Sequence, residues 1–225
     1  TCTTADYTSA AISYRRNVGA LILYNGQSAG AGGFANATER LRIDASGHMG
    51  LGVTPSAWAT NGDFRGLQVG TGAALFGRGS GDEDRGGVSV NYYHTGSAEK
   101  YIGNGNANRL YFGDGNAQFD WAPTNSGGAA AVLSWSTAFK IDSTGDALFG
   151  NYFTSQTIGD YKARLQVGGT DANAACISIN RWSNDAAGSC LQLFKGRGTS
   201  GGAVDKGQDG DVVGSISWVQ ANNNN

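Results

Sequence analysis

The sequence predicts an all-β protein built from repeated modules. Apolar residues alternate with period two along most of the chain, glycine contributes 37 of the 225 residues, and one stretch of sequence recurs 98 positions later. Alternation places successive side chains on opposite faces of a strand, and glycine suits tight turns in which φ is positive. No segment shows the periodicity of an amphipathic helix.

The predicted strands are short runs bounded by Gly, Asn, Asp or Ser. Their alternating apolar pairs are Ile12/Tyr14, Leu21/Leu23, Leu41/Ile43, Val88/Val90, Leu110/Phe112, Phe119/Trp121, Ile177/Ile179, Leu191/Leu193 and Ile216/Trp218. Four dipeptides have the composition of type I′ hairpin turns. They are Asn25-Gly26, Asn61-Gly62, Asp114-Gly115 and Asp209-Gly210. We therefore expect many short strands joined by tight turns.

The repeat emerges when the chain is compared with itself. Leu41-Arg42-Ile43-Asp44 corresponds at an offset of 98 to Phe139-Lys140-Ile141-Asp142, Gly47 to Gly145, Gly52 to Gly150, and Leu67-Gln68-Val69-Gly70 to Leu165-Gln166-Val167-Gly168. The same offset places Leu21 and Leu23 on Phe119 and Trp121. It divides the chain into the back half of one module with a linker (1–66), a complete module (67–158) and the front half of a third (159–225). Asp44 and Asp142 are expected to be turn residues without a catalytic role.

Composition excludes several classes of protein. There is no Gly-X-Y period of collagen. Charged residues make up 15% of the chain, with a formal net charge of −2 and scattered arginines, so no nucleic acid partner is expected. Three cysteines are too few for a disulfide framework, and Cys176 and Cys190 are expected to be small buried apolar residues. Because the chain begins at Thr1 without a methionine, we expect it to be part of a longer protein.

Short, glycine-rich strands cannot bury a thick core, and their unpaired edges invite other chains. We therefore expect an elongated, intertwined homotrimer in which the apolar stripes of three chains meet on a common axis. The sequence does not separate a triple β-helix from β-prism or β-sandwich elements. The 98-residue spacing favours modules over a thin uniform spiral.

Two blocks resemble known sequences. Residues 38–55, T-E-R-L-R-I-D-A-S-G-H-M-G-L-G-V-T-P, resemble a pattern common in bacteriophage tail fibres, which runs roughly T-E-R-M-R-I-D-S-S-G-N-V-G-I-G-T-x-P. Residues 194–199 and 210–218 resemble a fibre block that often precedes an endosialidase-type autocleaving chaperone. The resemblance implies a trimeric, extracellular virion appendage that contacts other tail proteins and attaches to a bacterial surface glycan or outer-membrane receptor. A chaperone domain would then follow Asn225.

No catalytic, cofactor or metal site is predicted. His48 and His94 lack metal-binding spacing and are expected in turns or on the surface. The acidic cluster Asp82-Glu83-Asp84 is expected to be a solvated loop tip, and the segment Asp205–Asp211 lacks the spacing of a calcium loop. Glycine-rich segments at 30–33 and 77–81 precede no helix and have no phosphate-loop ending.

Exposed aromatic residues are the better candidates for receptor binding, although the sequence assigns no receptor-binding residue. The candidates are Tyr92-Tyr93-His94, Trp121, Trp182 and Trp218. Alternation predicts that Trp121 and Trp218 are core residues. Tyr92 and Tyr93 are adjacent, so one of them would face solvent if both lie in a strand.

The sequence favours a non-enzymatic tail-fibre segment that supports or forms the host-attachment surface. The first alternative is a tailspike glycosidase, which would need two carboxyl groups about 5 Å or 6.5–9.5 Å apart. The second is a bacterial adhesin stalk, for which coiled-coil heptads and a membrane anchor would be expected.

Overall fold

The computed structural model describes residues 8–27, 38–60, 64–78, 84–150, 155–158, 161–171, 173–182, 184, 186, 188–193, 195, 208–212 and 214–218. These residues form strands, turns and loops and contain no helix, so the predicted all-β class is confirmed. It follows that none of them lies in a helix long and apolar enough to cross a membrane.

The strands are short. They are β1 (Thr8–Arg15), β2 (Ala20–Gln27), β3 (Thr38–Ile43), β4 (Met49–Leu51), β5 (Phe64–Val69), β6 (Ala73–Arg78), β7 (Gly86–Val90), β8 (Tyr93–His94), β9 (Glu99–Lys100), β10 (Gly105–Gly113), β11 (Asn116–Asn125), β12 (Ser136–Ile141), β13 (Ala147–Phe149), β14 (Thr157–Ile158), β15 (Tyr161–Lys162) and β16 (Leu165–Val167).

Twelve strands form one sheet in the order β1-β2-β3-β4-β5-β6-β7-β10-β11-β12-β13-β16. Neighbouring strands are antiparallel except β4–β5 and β13–β16, which are parallel. The pairs β8–β9 and β14–β15 form separate two-stranded sheets. Strand order in the large sheet therefore follows chain order, and at about 4.8 Å per strand the sheet extends roughly 50 Å across its strands.

The strand registers around β3 and β12 coincide at an offset of 98. Leu41 pairs with Leu51 in one hairpin, and Phe139 pairs with Phe149 in the other. The parallel pairing of Leu51 with Val69 likewise corresponds to that of Phe149 with Val167. Both sets of strands are thus paired in the same way.

The strands β2 and β11, which precede β3 and β12, do not correspond at that offset. Leu23 pairs with Ile12 and Leu41, and in the second set Phe119 pairs with Leu110 and Phe139. Leu23 therefore corresponds to Phe119, 96 positions later, and the predicted match of Leu23 with Trp121 is wrong. The cause is the preceding turn, which spans 16–19 in the first set and only Asp114-Gly115 in the second.

The turn predicted from the Ile-Asp-x-x-Gly motif is present in both sets. Asp44 Oδ1 accepts the backbone N–H groups of Ser46 and His48, both at 2.9 Å. Asp142 Oδ1 likewise accepts those of Thr144 at 2.9 Å and Asp146 at 3.0 Å. Gly47 and Gly145 have φ values of 82° and 81°, so the turn needs residues that tolerate the left-handed region. The structural role assigned to Asp44 and Asp142 is confirmed.

The four dipeptides predicted to form hairpin turns adopt different structures, where the structure describes them. Asp114 and Gly115 both have positive φ and join β10 to β11, as a type I′ turn requires. Asn25-Gly26 was predicted to turn but lies inside β2, where Asn25 pairs with Ala10. Asp209-Gly210 forms a turn without flanking strands in the described residues, and Asn61-Gly62 lies outside them.

The core lies against one face of the sheet. The segments 52–60, 91–104 (which includes β8 and β9) and 126–135 cover this face. The buried cluster comprises Trp58, Ala59, Phe64, Ala74, Phe76, Tyr92, Tyr93, Tyr101, Ala107, Ala122 and Leu133. Asn91 holds these loops in place: φ is 57° there, and its Oδ1 accepts the backbone N–H of Gly103 at 2.7 Å. We call this covered side the core face.

After β16 the predicted strands are absent from the described residues. The apolar pairs at Ile177/Ile179, Leu191/Leu193 and Ile216/Trp218 lie in loop segments. Alternation predicts which side chains share a face of a strand but not whether a partner strand is present. No strand pairing is found for these segments among the described residues. Cys176 and Cys190 are exposed, so their predicted burial is wrong for the same reason. Cys2 lies outside the described residues.

Candidate functional site

The face of the sheet opposite the core carries a continuous band of apolar side chains. Cross-strand registers align these residues into adjoining rows. The large exposed members are Ile12, Tyr14, Leu21, Leu51, Val69, Leu75, Val88, Val90, Leu110, Phe112, Phe119, Trp121, Ile141, Phe149 and Leu165. We call this band the apolar face.

The apolar face is uncovered in the single chain. Leu75 is 54% exposed and Phe119 44% exposed, although cross-strand neighbours surround both. Side chains of about 150–200 Å², each close to half exposed, leave on the order of 1,000 Å² of apolar surface over this set. Monomeric proteins seldom expose a patch beyond about 300–600 Å². A surface of this size has the properties of an interface.

Two predicted core residues, Trp121 and Trp218, are exposed in the single chain. Trp121 is on this face and 43% exposed, so it is not a core residue of the single chain. Trp218 is 89% exposed in a loop segment, which also contradicts its predicted burial. Alternation correctly predicted that Trp121 lies on the apolar side of its strand, but nothing within the described chain covers that side. Trp182, at 91% exposure, is also open to solvent.

On the core face, Arg109 is the centre of a buried polar cluster. Its Nε donates to Asp120 Oδ2 at 2.7 Å and its Nη1 to Glu99 Oε1 at 2.8 Å. The guanidinium carbon lies 4.5 Å from the ring centroids of both Tyr111 and Trp135. Two carboxylates and two aromatic rings therefore hold the arginine in one position. We call these five residues the Arg109 cluster.

Burial dominates the electrostatics of the cluster. It raises the pKa of Glu99, and the nearby Arg109 offsets this only in part. Burial also works against the charge of Arg109, but Glu99 and Asp120 outweigh it and keep the pKa of Arg109 above its ordinary value. Burial likewise raises the pKa of Tyr92, so its hydroxyl stays protonated. Arg109 is thus a permanent charge, buried between two carboxylates and two aromatic rings.

A cavity of about 320 Å³ opens beside the cluster. Its lining includes Phe64, Arg78, Arg85, Tyr92, Glu99, Arg109 and Tyr111. Arg78 lies over the ring of Phe64, with 5.8 Å between the guanidinium carbon and the ring centroid. Arg85 Nη2 donates to Asp114 Oδ1 at 2.7 Å. The described lining of the cavity therefore combines aromatic rings with arginine side chains.

Of the aromatic candidates, Tyr92 and Tyr93 are both buried, at 1% and 6% exposure. One of them was expected to face solvent if both lay in a strand, but only Tyr93 does, so that condition is not met. β7 ends at Val90, and the positive φ of Asn91 redirects the chain so that both rings pack into the core. Tyr92 nevertheless borders the cavity.

The two histidines differ. His94 lies in strand β8 and not in a turn; it is half-buried, and its ring is 4.5 Å from that of Phe64. His48 is buried, at 1% exposure, so its predicted surface position is wrong. Its Nδ1 accepts the backbone N–H of Gly66, and therefore its Nε2–H donates to the carbonyl of Ala59 at 3.1 Å. His48 fastens the 52–60 loop to the sheet.

Asp120 is the most buried carboxylate of the Arg109 cluster. Asp120 is fully buried, and its oxygens accept hydrogen bonds from Arg109, Gln118 and Thr137. A catalytic carboxylate must reach its substrate, and Asp120 has no surface with which to do so. Among the described residues that line the cavity, Glu99 is the one carboxylate.

The remaining candidates form no metal site among the residues described. No group of three His, Cys, Asp or Glu side chains is gathered there. Asp82, Glu83, the 30–33 and 79–81 glycines, and Asp205–Gly207 lie outside the described residues. The segment 208–211 forms a turn in which Asp211 Oδ2 accepts the backbone N–H of Gln208.

Sequence reasoning missed the Arg109 cluster, although a signal for it was present. The Asp114-Gly115 turn fixes the register of β10 and β11, which places Arg109 directly opposite Asp120. Both side chains lie on the polar face of their strands, and the opposite face is apolar. Opposite charges at facing positions of a predicted hairpin therefore indicate a cross-strand pair.

Comparisons with known proteins give no relative. No model of a known protein family matches the chain, and neither a curated protein nor a solved structure is significantly similar to it.

Proposed function

We propose that the chain is a structural segment of a homotrimeric, non-enzymatic bacteriophage tail fibre that supports or forms the host-attachment surface. The observation that carries the proposal is the apolar face. It spans the strands of the large sheet from Ile12 in β1 to Leu165 in β16. A fibre axis running across the strands would bury the whole band.

The occupant we propose for this face is further copies of the same chain. Along the central strands the face is almost uncharged: Val88 and Leu110 pair directly, as do Leu110 and Phe119. A self-complementary apolar surface suits identical partners, because a second copy presents the same rows. Three sheets facing one axis would form a triangular prism, which corresponds to the β-prism expectation.

The matched registers support a modular fibre. In the order of the large sheet, β12 lies seven places after β3, and β10 lies seven places after β1. Seven strands at about 4.8 Å each give an axial repeat of roughly 34 Å. On this proposal the chain holds parts of successive modules, bounded near 66 and 158 as the sequence repeat predicts.

Attachment would follow from multivalency. Three identical chains per fibre present each surface feature in triplicate, and linked weak contacts give strong overall binding. The partners on this proposal are other tail proteins and a bacterial surface glycan or outer-membrane receptor, and the site of action is the virion exterior. The inaccessibility of Asp120 favours this reading over the glycosidase alternative.

The test is the molar mass in solution, measured by light scattering coupled to size exclusion. A mass three times that of the 23.2 kDa chain is expected. Leu110→Asp places a charge in the middle of the apolar face and should dissociate the trimer. Val132→Asp is the control, because Val132 is also exposed, at 68% against 41% for Leu110, but lies in the 126–135 loop away from the apolar face. A monomer or a dimer for the parent chain would overturn the trimer.

A further inference from the structure

We infer that the open edge of β16 pairs with residues 175–180 of a second copy of this chain, so that neighbouring chains exchange a strand. The inference deepens the proposed function and rests on it, because it names how the copies interlock at one end of the sheet. The contact is made by the main chain and is separate from the packing of side chains on the apolar face.

β16 is held in the same way as β5, its counterpart 98 positions earlier. Each strand pairs in parallel with the strand before it in the order of the sheet. Each also carries a glutamine that fastens an earlier part of the chain. Gln68 Oε1 accepts the backbone N–H of Ser56 at 2.9 Å. Gln166 Oε1 accepts that of Gln156, also at 2.9 Å. The two strands are therefore equivalent on this side.

The two strands differ at their other edge. β5 pairs there with β6 in the antiparallel sense, with Leu67 opposite Leu75. β16 is the last strand of the large sheet, and no described residue pairs with its other edge. Leu165 is 59% exposed, whereas its counterpart Leu67 is half-buried. The edge of a sheet that lacks a neighbouring strand is a site at which another strand can add.

Residues 175–180 have the sequence of the missing strand. In β6 the order Ala73-Ala74-Leu75 places Leu75 opposite Leu67. Ala175-Cys176-Ile177 likewise places two small residues before a branched aliphatic one. The same register would bring Ile177 opposite Leu165. Ile177 would then extend the apolar face by one row beyond its last strand.

The link after β16 keeps this segment off the edge of its own chain. β5 and β6 are joined by a turn of three residues, 70–72. The link after β16 is longer and contains a turn of its own, in which Asp171 Oδ1 accepts the backbone N–H groups of Asn173 at 2.9 Å and Ala174 at 3.0 Å. Every residue from 173 to 182 is exposed, and none of them lies in a strand.

A second copy of the chain fits both halves of this arrangement. Each chain has one open edge at β16 and one segment, 175–180, without a strand partner among the described residues. Three chains can therefore close a ring in which each donates a strand to the next. Such an exchange needs no new recognition surface, because β5 and β6 make the equivalent contact within one chain.

The experiment is disulfide cross-linking of the full chain. Leu165→Cys/Ile177→Cys is made in a background in which the three native cysteines are replaced by serine. Facing positions on antiparallel strands lie within the Cα separation that a disulfide allows. After mild oxidation with copper phenanthroline, non-reducing gels should show covalently linked chains up to trimer size. Leu67→Cys/Leu75→Cys in the same background is the matched control, and its disulfide should form within one chain and leave a monomer band.

A single cysteine can join no more than two chains, so Leu165→Cys alone should give no linked trimer. Peptide mass spectrometry of the linked band should find residue 165 joined to residue 177. A disulfide between these positions within one chain, or no link between them, would overturn the exchange.

Light scattering on the reduced samples separates the two proposals. A trimer whose disulfide forms within one chain contradicts only the strand exchange. A dimer with residue 165 linked to residue 177 of its partner contradicts only the threefold assembly. A monomer overturns both.

Discussion

Asp146 lies 98 positions after His48, and each side chain accepts a hydrogen bond from the residue 18 positions further along the chain. His48 Nδ1 accepts the backbone N–H of Gly66 at 3.3 Å, and Asp146 Oδ1 accepts from the Arg164 guanidinium at 3.2 Å. The same place in two matched hairpins thus holds a neutral imidazole in one case and a carboxylate in the other. The two residues should respond to acid in different pH ranges.

His48 is expected to make the protein less stable as the pH falls below about 6.5. Burial lowers the pKa of His48, so the folded protein holds the neutral ring while the unfolded chain takes up a proton. Stability is complete above the unfolded pKa, declines as the pH falls through it, and levels off below the folded pKa. Thermal melting at a series of pH values should show this decline in the parent and not in His48→Gln. His94→Gln should keep it, and a decline that persists in His48→Gln would contradict the assignment.

Asp146 is expected to affect the stability of the fold at a lower pH than His48 does. The hydrogen bond from Lys162 is the main cause that lowers the pKa of Asp146. Its stabilising contribution is present above the unfolded pKa of about 3.8 and is lost as the pH falls through the folded value. Asp146→Asn should be less stable than the parent at pH 7 and equal to it at the acidic limit, as measured by chemical unfolding. A difference in the free energy of unfolding that stays constant over the whole pH range would show that the charge of Asp146 does not contribute to stability.

Gly47→Ala should destabilise the fold by about 1–3 kcal/mol, because φ is 82° and an L-residue is strained there. Gly103→Ala is the matched control: no atom lies within 4 Å of an added Cβ, and φ is not positive. Urea unfolding should therefore separate the two variants. Equal stability of Gly47→Ala and Gly103→Ala would show that the Asp44 turn does not depend on backbone conformation.

Arg109→Met should lower the free energy of unfolding by about 3–5 kcal/mol, because it leaves the buried carboxylate of Asp120 without its cation. Adding Asp120→Leu to that variant should restore part of the loss. Arg42→Met, at a more exposed pair with Glu39, should cost about 1 kcal/mol or less. Additive losses from Arg109→Met and Asp120→Leu would contradict the coupling.

Much of the sheet could be predicted from the sequence, because period-two alternation and turn residues act locally. The apolar pair Val88/Val90 gave a strand, and Asp114-Gly115 gave a hairpin with the correct register. Asn25-Gly26 failed because pairing of β2 with β1 on one side and β3 on the other overrides the local turn preference.

Burial was harder to predict, since it depends on which parts of the chain cover each face. Alternation placed Trp121 on the apolar face of its strand, but no segment of the described chain covers that face. Tyr93 and His48 are buried by loops whose course depends on single backbone conformations, such as that of Asn91. To predict the Arg109 cluster, the register of the hairpin has to be combined with the positions of polar residues on both strands. Inspection of one residue at a time does not do this.

The agreement between strand order and chain order has a kinetic consequence. Between β1 and β7, each strand of the large sheet pairs with the strand synthesised just before it, and the sequence separation of paired residues stays small. Folding can therefore begin while the chain is still emerging from the ribosome and can add one strand at a time. During that growth the exposed apolar face would form strand by strand, so in the proposed trimer the association of chains would have to keep pace with synthesis.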